Sequence, residues 1–532
     1  MIPQTTQGTM QPYALTLDKF IDHAAKWHPY AQVVTAREAA PSTRLSYPDL
    51  RTNAKRVSAA LAQREVAQGE CVATLAWNTQ AHLECWYAIM GMGAICHTLN
   101  PRLLPAQLAS MLNQSGARIL IASAGLYALA GKVLAEAPLV EDVLLIDGDT
   151  DIGMFADGAR RVSNMADAME QAGGTVEWGR FDENAPCGLC FTSGTTGAPK
   201  GVTYTHRGNY LHSMRQLQAD VAGLTHDDSV LTMVPMFHAN AWGLPFSVPA
   251  VGGKLVLPGT VSGGAALARL IREEDVTIGV GVPTVWLGLM DHLDQTGANV
   301  PTLDRIMVGG APMPPALMER IEARGIRVQT TWGMTEISPL GTAMPPTARG
   351  RDPSLSGIPA IGIDLMLSDA EGTPLEGQRD AEGHLWVRGP SVVETYFGQD
   401  APATKDGWFD TGDLARIDAK GRLAITGRAK DLIKSGGEWI NPAEIETIVG
   451  AHPDVSMAAV IGREHDKWGE RPVLLVELRE GTQISDEDLL GTLDGKVASW
   501  WRPDAVMRLA HMPLAATGKV DKLRLRSEYG RS

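Results

Sequence analysis

Between Thr192 and Gly201 the chain reads Thr-Ser-Gly-Thr-Thr-Gly-Ala-Pro-Lys-Gly, a run of hydroxyls and glycines closed by Lys200. That composition suits phosphate. Gly194 and Gly197 allow consecutive backbone N–H groups to turn onto an anion, Thr192, Ser193, Thr195 and Thr196 add hydroxyl donors, and Lys200 adds a positive charge. The spacing is not that of a Walker A loop, which continues from its first glycine through four residues to Gly-Lys-Ser/Thr. A Ser/Thr/Gly cluster is also ordinary turn chemistry, so on this stretch alone a phosphate cradle and a plain surface turn are equally supported. Just upstream, Cys187 and Cys190 form a C-x-x-C, but they lie in an apolar strand-like segment where positions three apart face opposite sides. With no second Cys/His pair nearby in sequence to complete a zinc site, they read as buried strand residues.

The elements around this stretch alternate. Asp18–Lys26 and Tyr47–Gln63 carry helical spacing, while Cys71–Leu75, Arg118–Ala122 and Val143–Ile146 read as short apolar strands. Pro186–Thr192 delivers a strand into the glycine loop and His206–Ala222 follows with helical spacing, predicting strand, loop, helix. Val230–His238, Lys254–Leu257, Ile278–Val282 and Arg305–Val308 read as further strands, with a helix at Ala265–Glu274. Such alternation predicts α/β layers with parallel strands. Beyond Glu336, Gly/Pro/Asp turns separate short strands, predicting a small β subdomain. Asn441-Pro-Ala-Glu444 has the arrangement of a helix start: Asn as N-cap, Pro at the first helical position and Glu three after the cap.

The 532 residues exceed one typical domain, and 44% hydrophobic with 20% charged content is that of a globular protein. A formal charge of −14 argues against a net-basic surface for nucleic acid or anionic membrane, so an anionic ligand must meet local positive groups. One candidate is Arg502–Arg531, with seven Lys/Arg against three acids, although a solvated tail has the same composition. Met1–Met10 has neither a charged n-region nor an apolar h-region, no apolar run is long enough to span a bilayer, and five scattered cysteines suit a reducing compartment. A cytoplasmic enzyme is the expectation.

Read in order, Thr192–Gly201, Thr331-Trp-Gly-Met-Thr-Glu336, Thr411-Gly-Asp413, Gly427-Arg-Ala-Lys-Asp431, Ser435-Gly-Gly437 and Pro513-Leu-Ala-Ala-Thr-Gly-Lys519 span more than 300 residues. The whole chain resembles the adenylate-forming superfamily of acyl-CoA synthetases, luciferases and peptide-synthetase adenylation domains. The resemblance implies a large N-terminal domain over residues 1–428, built of layered α/β subdomains with a small β subdomain at about 340–428, and a small mobile α+β C-terminal domain over 429–532. It implies two steps: a carboxylate attacks the α-phosphorus of ATP to give an acyl-adenylate and pyrophosphate, and the thiol of coenzyme A then displaces AMP. The partners it implies are a small carboxylic acid, ATP and CoA, with Mg²⁺ as cofactor, no nucleic acid, no integral membrane segment and room for a homodimer.

Residue by residue, the resemblance gives Thr192, Ser193, Gly194, Thr195, Thr196, Gly197 and Lys200 the departing pyrophosphate. Gly310, Ala311, Pro312, Thr331, Gly333 and Met334 would line the nucleotide, and Trp332 would stack on adenine, its core-packing reading remaining open. Thr335 would bond phosphate or acyl oxygen, and Glu336 would hold Mg²⁺. Asp413 would accept the ribose hydroxyls, with Arg428 as second ribose contact. Lys430 and Asp431 fall at the hinge about which the C-terminal domain rotates. Gly437 would line the pantetheine channel. Lys519 would bridge the incoming carboxylate and the α-phosphate as charge concentrates there.

Phe237, His238, Ala239, Trp242 and Gly309 occupy the family's acyl pocket, His238 also standing with Lys519, Thr335 and Glu336 among the catalytic positions. No acid follows Phe237 to pair with a substrate amine, which weakens an amino-acid-activating reading. Met233-Val-Pro-Met-Phe-His-Ala-Asn-Ala-Trp-Gly243 and Gly93–Arg102 are similar to bacterial medium-chain acyl-CoA ligases, a branch that includes CoA ligases for 3-methylmercaptopropionate. A short- to medium-chain aliphatic acid is the expected substrate, the thioether acid a named candidate. A medium-chain ligase without thioether specificity, and an adenylating enzyme that loads a carrier protein, are the alternatives.

Overall fold

The computed structural model describes residues 10–38, 40–148, 160–192, 199–347, 352–436, 438–515 and 519–531. Ser193, Gly194, Thr195, Thr196, Gly197 and Gly437 lie outside the described residues. The described strands form three sheets of 14, 7 and 5 strands, giving the layered α/β architecture with a small α+β unit at the C-terminal end. In the seven-stranded sheet six neighbouring strands are parallel, Arg161–Asn164, Asp142–Ile146, Ile119–Ser123, Cys71–Leu75, Ile95–Thr98 and Pro186–Phe191, and Gly201–Thr205 closes the edge antiparallel.

The large sheet changes character partway across. Lys254–Leu257, Ser229–Thr232, Ile278–Gly281, Arg305–Val308 and Arg327–Gly333 are parallel neighbours. Arg327–Gly333 then pairs antiparallel with Leu340–Ala343, and the ladder continues antiparallel through Leu355–Pro359, Leu423–Arg428, Trp408–Ile417, Ala381–Arg388 and Asp364–Ser368. Fully buried burial patterns at Ser229–Thr232, Ile278–Gly281 and Arg305–Val308 explain their continuous apolar character, since helices cover both faces of a parallel sheet. The C-terminal ends of parallel strands are where α/β sheets place their ligands.

Helix Gln80–Gly91 is buried all round from His82 to Gly91, and it packs on strands of both large sheets. A helix with no wet face belongs between layers. Its Trp86 is fully enclosed, worth roughly 1.5–3 kcal/mol by the usual scale for burying a large apolar side chain. A Cβ on Gly91 would sit 2.5 Å from the Trp178 ring, so that position admits only glycine.

Burial also loads this core with neutral histidines. His97 is fully enclosed, its Nδ1 paired with Ser115 Oγ at 2.9 Å, and burial pushes its pKa down to about 3. A base depressed in the folded state leaves the unfolded chain binding the extra proton, so its contribution is intact above about pH 6.5 and is lost as pH falls. We expect His97→Gln, whatever its cost at neutral pH, to reduce the acid-side slope of unfolding free energy by about 1.4 kcal/mol per pH unit. Denaturant melts at several pH values check this; an unchanged slope would show that His97 is not held neutral.

Candidate active site

Strands Pro186–Phe191 and Gly201–Thr205, which flank the glycine stretch, are antiparallel neighbours in one sheet. This corrects the predicted strand, loop, helix. Buried Val202 and Tyr204 alternate with half-buried Thr203 and Thr205, a period of two that the search for a helix after the loop overlooked. The helix is His206–Gln216, with Thr205 Oγ1 accepting from Gly208 N at 3.0 Å as its N-cap. At the end of this strand pair Thr192 N donates to the Lys200 carbonyl at 2.9 Å, and the exposed Lys200 ammonium lies 4.7 Å from the Tyr396 ring centroid.

Tyr396 links this lysine to the carboxylate read as the metal ligand. Its hydroxyl donates to Glu336 Oε1 at 3.2 Å. Glu336 sits in the turn Thr335–Ile337 that follows strand Arg327–Gly333, and burial raises its pKa. The turn is fixed from two sides: Tyr204 Oη donates to the Thr335 carbonyl at 2.9 Å, and Val393 N to the Glu336 carbonyl at 2.8 Å. A Cβ on Gly333 would stand 2.0 Å from the Pro339 carbonyl oxygen, so the chain can fold back here only on glycine. Among the described residues no group of three or more His, Cys, Asp or Glu could hold a metal. A single buried carboxylate fits Mg²⁺, a hard cation that Glu336 would hold through oxygen.

Asp413 and Arg428 face each other across neighbouring strands, Arg428 Nε lying 2.7 Å from Asp413 Oδ1. The Trp332 indole N–H donates to Asp413 Oδ2 at 2.9 Å. Burial raises the Asp413 pKa, with the Arg428 charge opposing. Each carboxylate oxygen keeps a second lone pair for a ribose hydroxyl. Trp332 itself is 7% exposed, with its ring 2.5 Å from where a Cβ of Gly341 would be. The ring packs here while its N–H aims Asp413.

The acyl-wall motif departs from the sequence expectation most. The strand ends at Thr232, and Ala239, Asn240, Ala241 and Trp242 take left-handed φ values of 43°, 55°, 47° and 54°, followed by Gly243 at 77°. Such backbone costs roughly 1–2 kcal/mol per non-glycine residue and persists where surroundings over-determine it. Here Gln216 Nε2 donates to the Trp242 carbonyl at 2.5 Å, and a Cβ on Gly243 would meet the His212 ring at 2.7 Å. Asn78 fixes the approach, donating to the Thr232 and Val234 carbonyls and accepting from Met236 N at 2.7 Å. The result lays the Trp242 ring against Gly309 and Gly310, 3.0 and 3.8 Å from their would-be Cβ positions. Phe237 meets Trp77 edge-on with centroids 6.1 Å apart. Half-buried His238 is pushed down to about 4, chiefly by burial and then by the charge of Lys519, so its imidazole is neutral near pH 7.

Lys519 therefore reaches this place from the far end of the chain. Its Cε stands 3.9 Å from the would-be Cβ of Gly310. Water still reaches the side chain, yet protein rings the ammonium closely enough that burial, then the Arg428 charge, push its pKa down while Asp413 and Glu336 pull it up. Of the seven basic residues in the C-terminal stretch, Arg502, Arg508, Lys522, Arg524 and Arg526 pair with Asp494, Asp486, Glu446, Glu528 and Asp431 at 2.6 to 2.9 Å, while Lys519 is placed at this site. The five cysteines are free and buried.

Lys519, His238, Glu336, Asp413 and Arg428 thus come together from five separate segments. Thr331, whose Oγ1 donates to the Val308 carbonyl at 3.0 Å, and the turn of Gly310, Ala311 and Pro312 border them. Tyr396, Tyr204 and Gln216 were not singled out by sequence reasoning, and Asn78 stood out only as an isolated polar residue without a role. No helix among the described residues is long and apolar enough to cross a membrane.

Residues 21–397 match the family of AMP-binding enzymes, and residues 444–519 its C-terminal domain. The chain is 40% identical over 536 residues to 3-methylmercaptopropionyl-CoA ligase of Ruegeria lacuscaerulensis, covering 98% of each protein. It is 38% identical over 535 residues to medium-chain-fatty-acid–CoA ligase of Ectopseudomonas oleovorans, covering 98% of this chain and 97% of that one. In fold it is similar to an anthranilate CoA ligase solved with anthranoyl-AMP, with a TM-score of 0.87 at 24% identity over 97% of this chain and 98% of that chain.

Proposed function

The chain belongs to the AMP-binding enzyme family, and from that premise we propose that it activates a short- to medium-chain carboxylic acid, with 3-methylmercaptopropionate as the named candidate. It is an acid–thiol ligase that uses ATP, Mg²⁺ and coenzyme A, forming an acyl-adenylate and then the acyl-CoA. The observation that carries the proposal is Lys519, delivered from the C-terminal domain to within reach of Gly310, His238 and the Glu336–Asp413 pair.

In this reading the Lys519 ammonium binds the substrate carboxylate and an α-phosphate oxygen together, orienting attack and countering charge as it builds. Asp413, aimed by Trp332 and Arg428, holds the ribose. Lys200 and the glycine stretch before it take the leaving pyrophosphate. Mg²⁺, held by Glu336, neutralises phosphate charge when bound. Neutral His238 walls the acyl site beside Phe237, Ala239, Trp242 and Gly309 without adding a charge that would compete for the carboxylate. These apolar walls and the absence of an acid among them suit an aliphatic chain, and a thioether differs from a methylene too little for such walls to reject it strongly.

The test is a panel of straight-chain acids from propionate to decanoate, plus the thioether acid, with ATP and Mg²⁺, with and without CoA. Acyl-CoA and AMP should form together, with kcat/KM greatest at the short-to-medium end and the thioether acid within that group. Adenylate formed without transfer to CoA would point instead to a carrier-loading enzyme.

A further inference from the structure

Helix Pro442–Gly450 belongs to the C-terminal unit and begins beside strand Leu423–Arg428, the strand that carries Arg428 into the site. Between them the chain passes through the turn Ala429–Asp431 and the short strands Ile433–Ser435 and Glu438–Ile440 of the five-stranded sheet. Asn441, 6% exposed, stands at the junction. Its Oδ1 accepts from Ala443 N at 3.2 Å, capping the helix, while its Nδ2 donates across the junction to the Thr426 carbonyl at 2.6 Å. The same Nδ2 lies 3.2 Å from Glu444 Oε1, so Glu444 bonds the cap's side chain instead of completing the backbone capping box expected from sequence. On the opposite side a Cβ on Gly427 would sit 2.7 Å from Asn441 Oδ1. One side chain thus bonds both units, its Nδ2 alone reaching across the junction, and glycine opposite makes the space for it.

We propose that Asn441 is a positioning residue for the adenylation step: its amide bond to Thr426 holds the C-terminal unit in the orientation that brings Lys519 to the reacting phosphate. This rests on the ligase reading above and on Lys430–Asp431 as the hinge. Thr426 is anchored on its own side, its Oγ1 donating to Glu382 Oε1 at 2.7 Å within the antiparallel ladder, so the acceptor is fixed. Burial, and then the Glu382 charge, raise the Glu444 pKa beside the same junction.

The experiment uses the full-length protein and Asn441→Asp, which keeps a helix cap of equal quality but turns an acceptor toward the Thr426 carbonyl. Gly427→Ala is the second variant, leaving Asn441 intact while crowding it. Both should lower ATP–pyrophosphate exchange about tenfold, by depopulating the competent orientation, while acyl-CoA formation from supplied acyl-AMP and CoA stays within about twofold of wild type. Equal slowing of both half-reactions, the signature of a merely structural role, or no change in either would overturn the proposal. A wild-type protein that ran neither half-reaction would overturn the ligase reading itself.

Discussion

Lys519→Ala should lower ATP–pyrophosphate exchange by at least about 100-fold, the usual cost of removing a preorganised charge from a developing anion, while acyl-CoA formation from supplied acyl-AMP stays near wild type. The asymmetry follows from where the lysine stands. Its Cε lies beside Gly310, and its ammonium is subject to the opposing fields of Arg428 and of Asp413 and Glu336. Removing it leaves two buried carboxylates facing an incoming carboxylate and a triphosphate, with Arg428 already engaged by Asp413 at 2.7 Å. In the second step the CoA thiol attacks the acyl carbonyl and AMP leaves, and the rotation expected about Lys430 and Asp431 would take this lysine elsewhere before it happens. Wild-type exchange in the mutant would sink the assignment.

Glu336→Gln is expected to cost a similar factor in the same half-reaction, about 100-fold at ordinary Mg²⁺, with partial recovery as Mg²⁺ is raised. Glutamine keeps the volume and the acceptor that Tyr396 uses at 3.2 Å, so the turn Thr335–Ile337 should hold its shape. What is lost is the negative charge. Because burial already raises the Glu336 pKa, the wild-type enzyme should also lose apparent Mg²⁺ affinity at a higher pH than an exposed glutamate would, as pH falls. Thermal stability should be unchanged or slightly higher, since a buried charge is removed. A variant whose Mg²⁺ titration overlays wild type would show that the metal is held elsewhere.

Much of this arrangement was legible because it is local. Lys254–Leu257 and Arg305–Val308 are strands with the bounds their apolar runs suggested, and Asn441 caps its helix as its spacing with Pro442 implied. What escaped has a common physical cause. Tyr396 reaches Glu336 across 60 residues, and Gln216 reaches Trp242 across 26; no periodicity encodes such pairings. The left-handed run at Ala239–Trp242 contradicts the intrinsic preference of alanine and tryptophan, so local propensity gave no sign of the turn that tertiary packing imposes there. The Trp332 N–H bond to Asp413 crosses 81 residues and is equally invisible to local pattern.

The three sheets carry a further consequence. Lys200 comes from the edge of the seven-stranded sheet, Asp413, Arg428 and Glu336 from the 14-stranded one, and Lys519 from the unit built on five strands. The large sheet runs as one series of hydrogen-bonded neighbours from Asp364–Ser368 to Thr43–Ser46, with register shifts in its antiparallel half. Each part is built separately, and the reacting atoms meet only if all three are registered to a fraction of an ångström. Alignment tolerance, more than the supply of charged groups, then sets how far a substitution distant from the site is felt at the phosphorus.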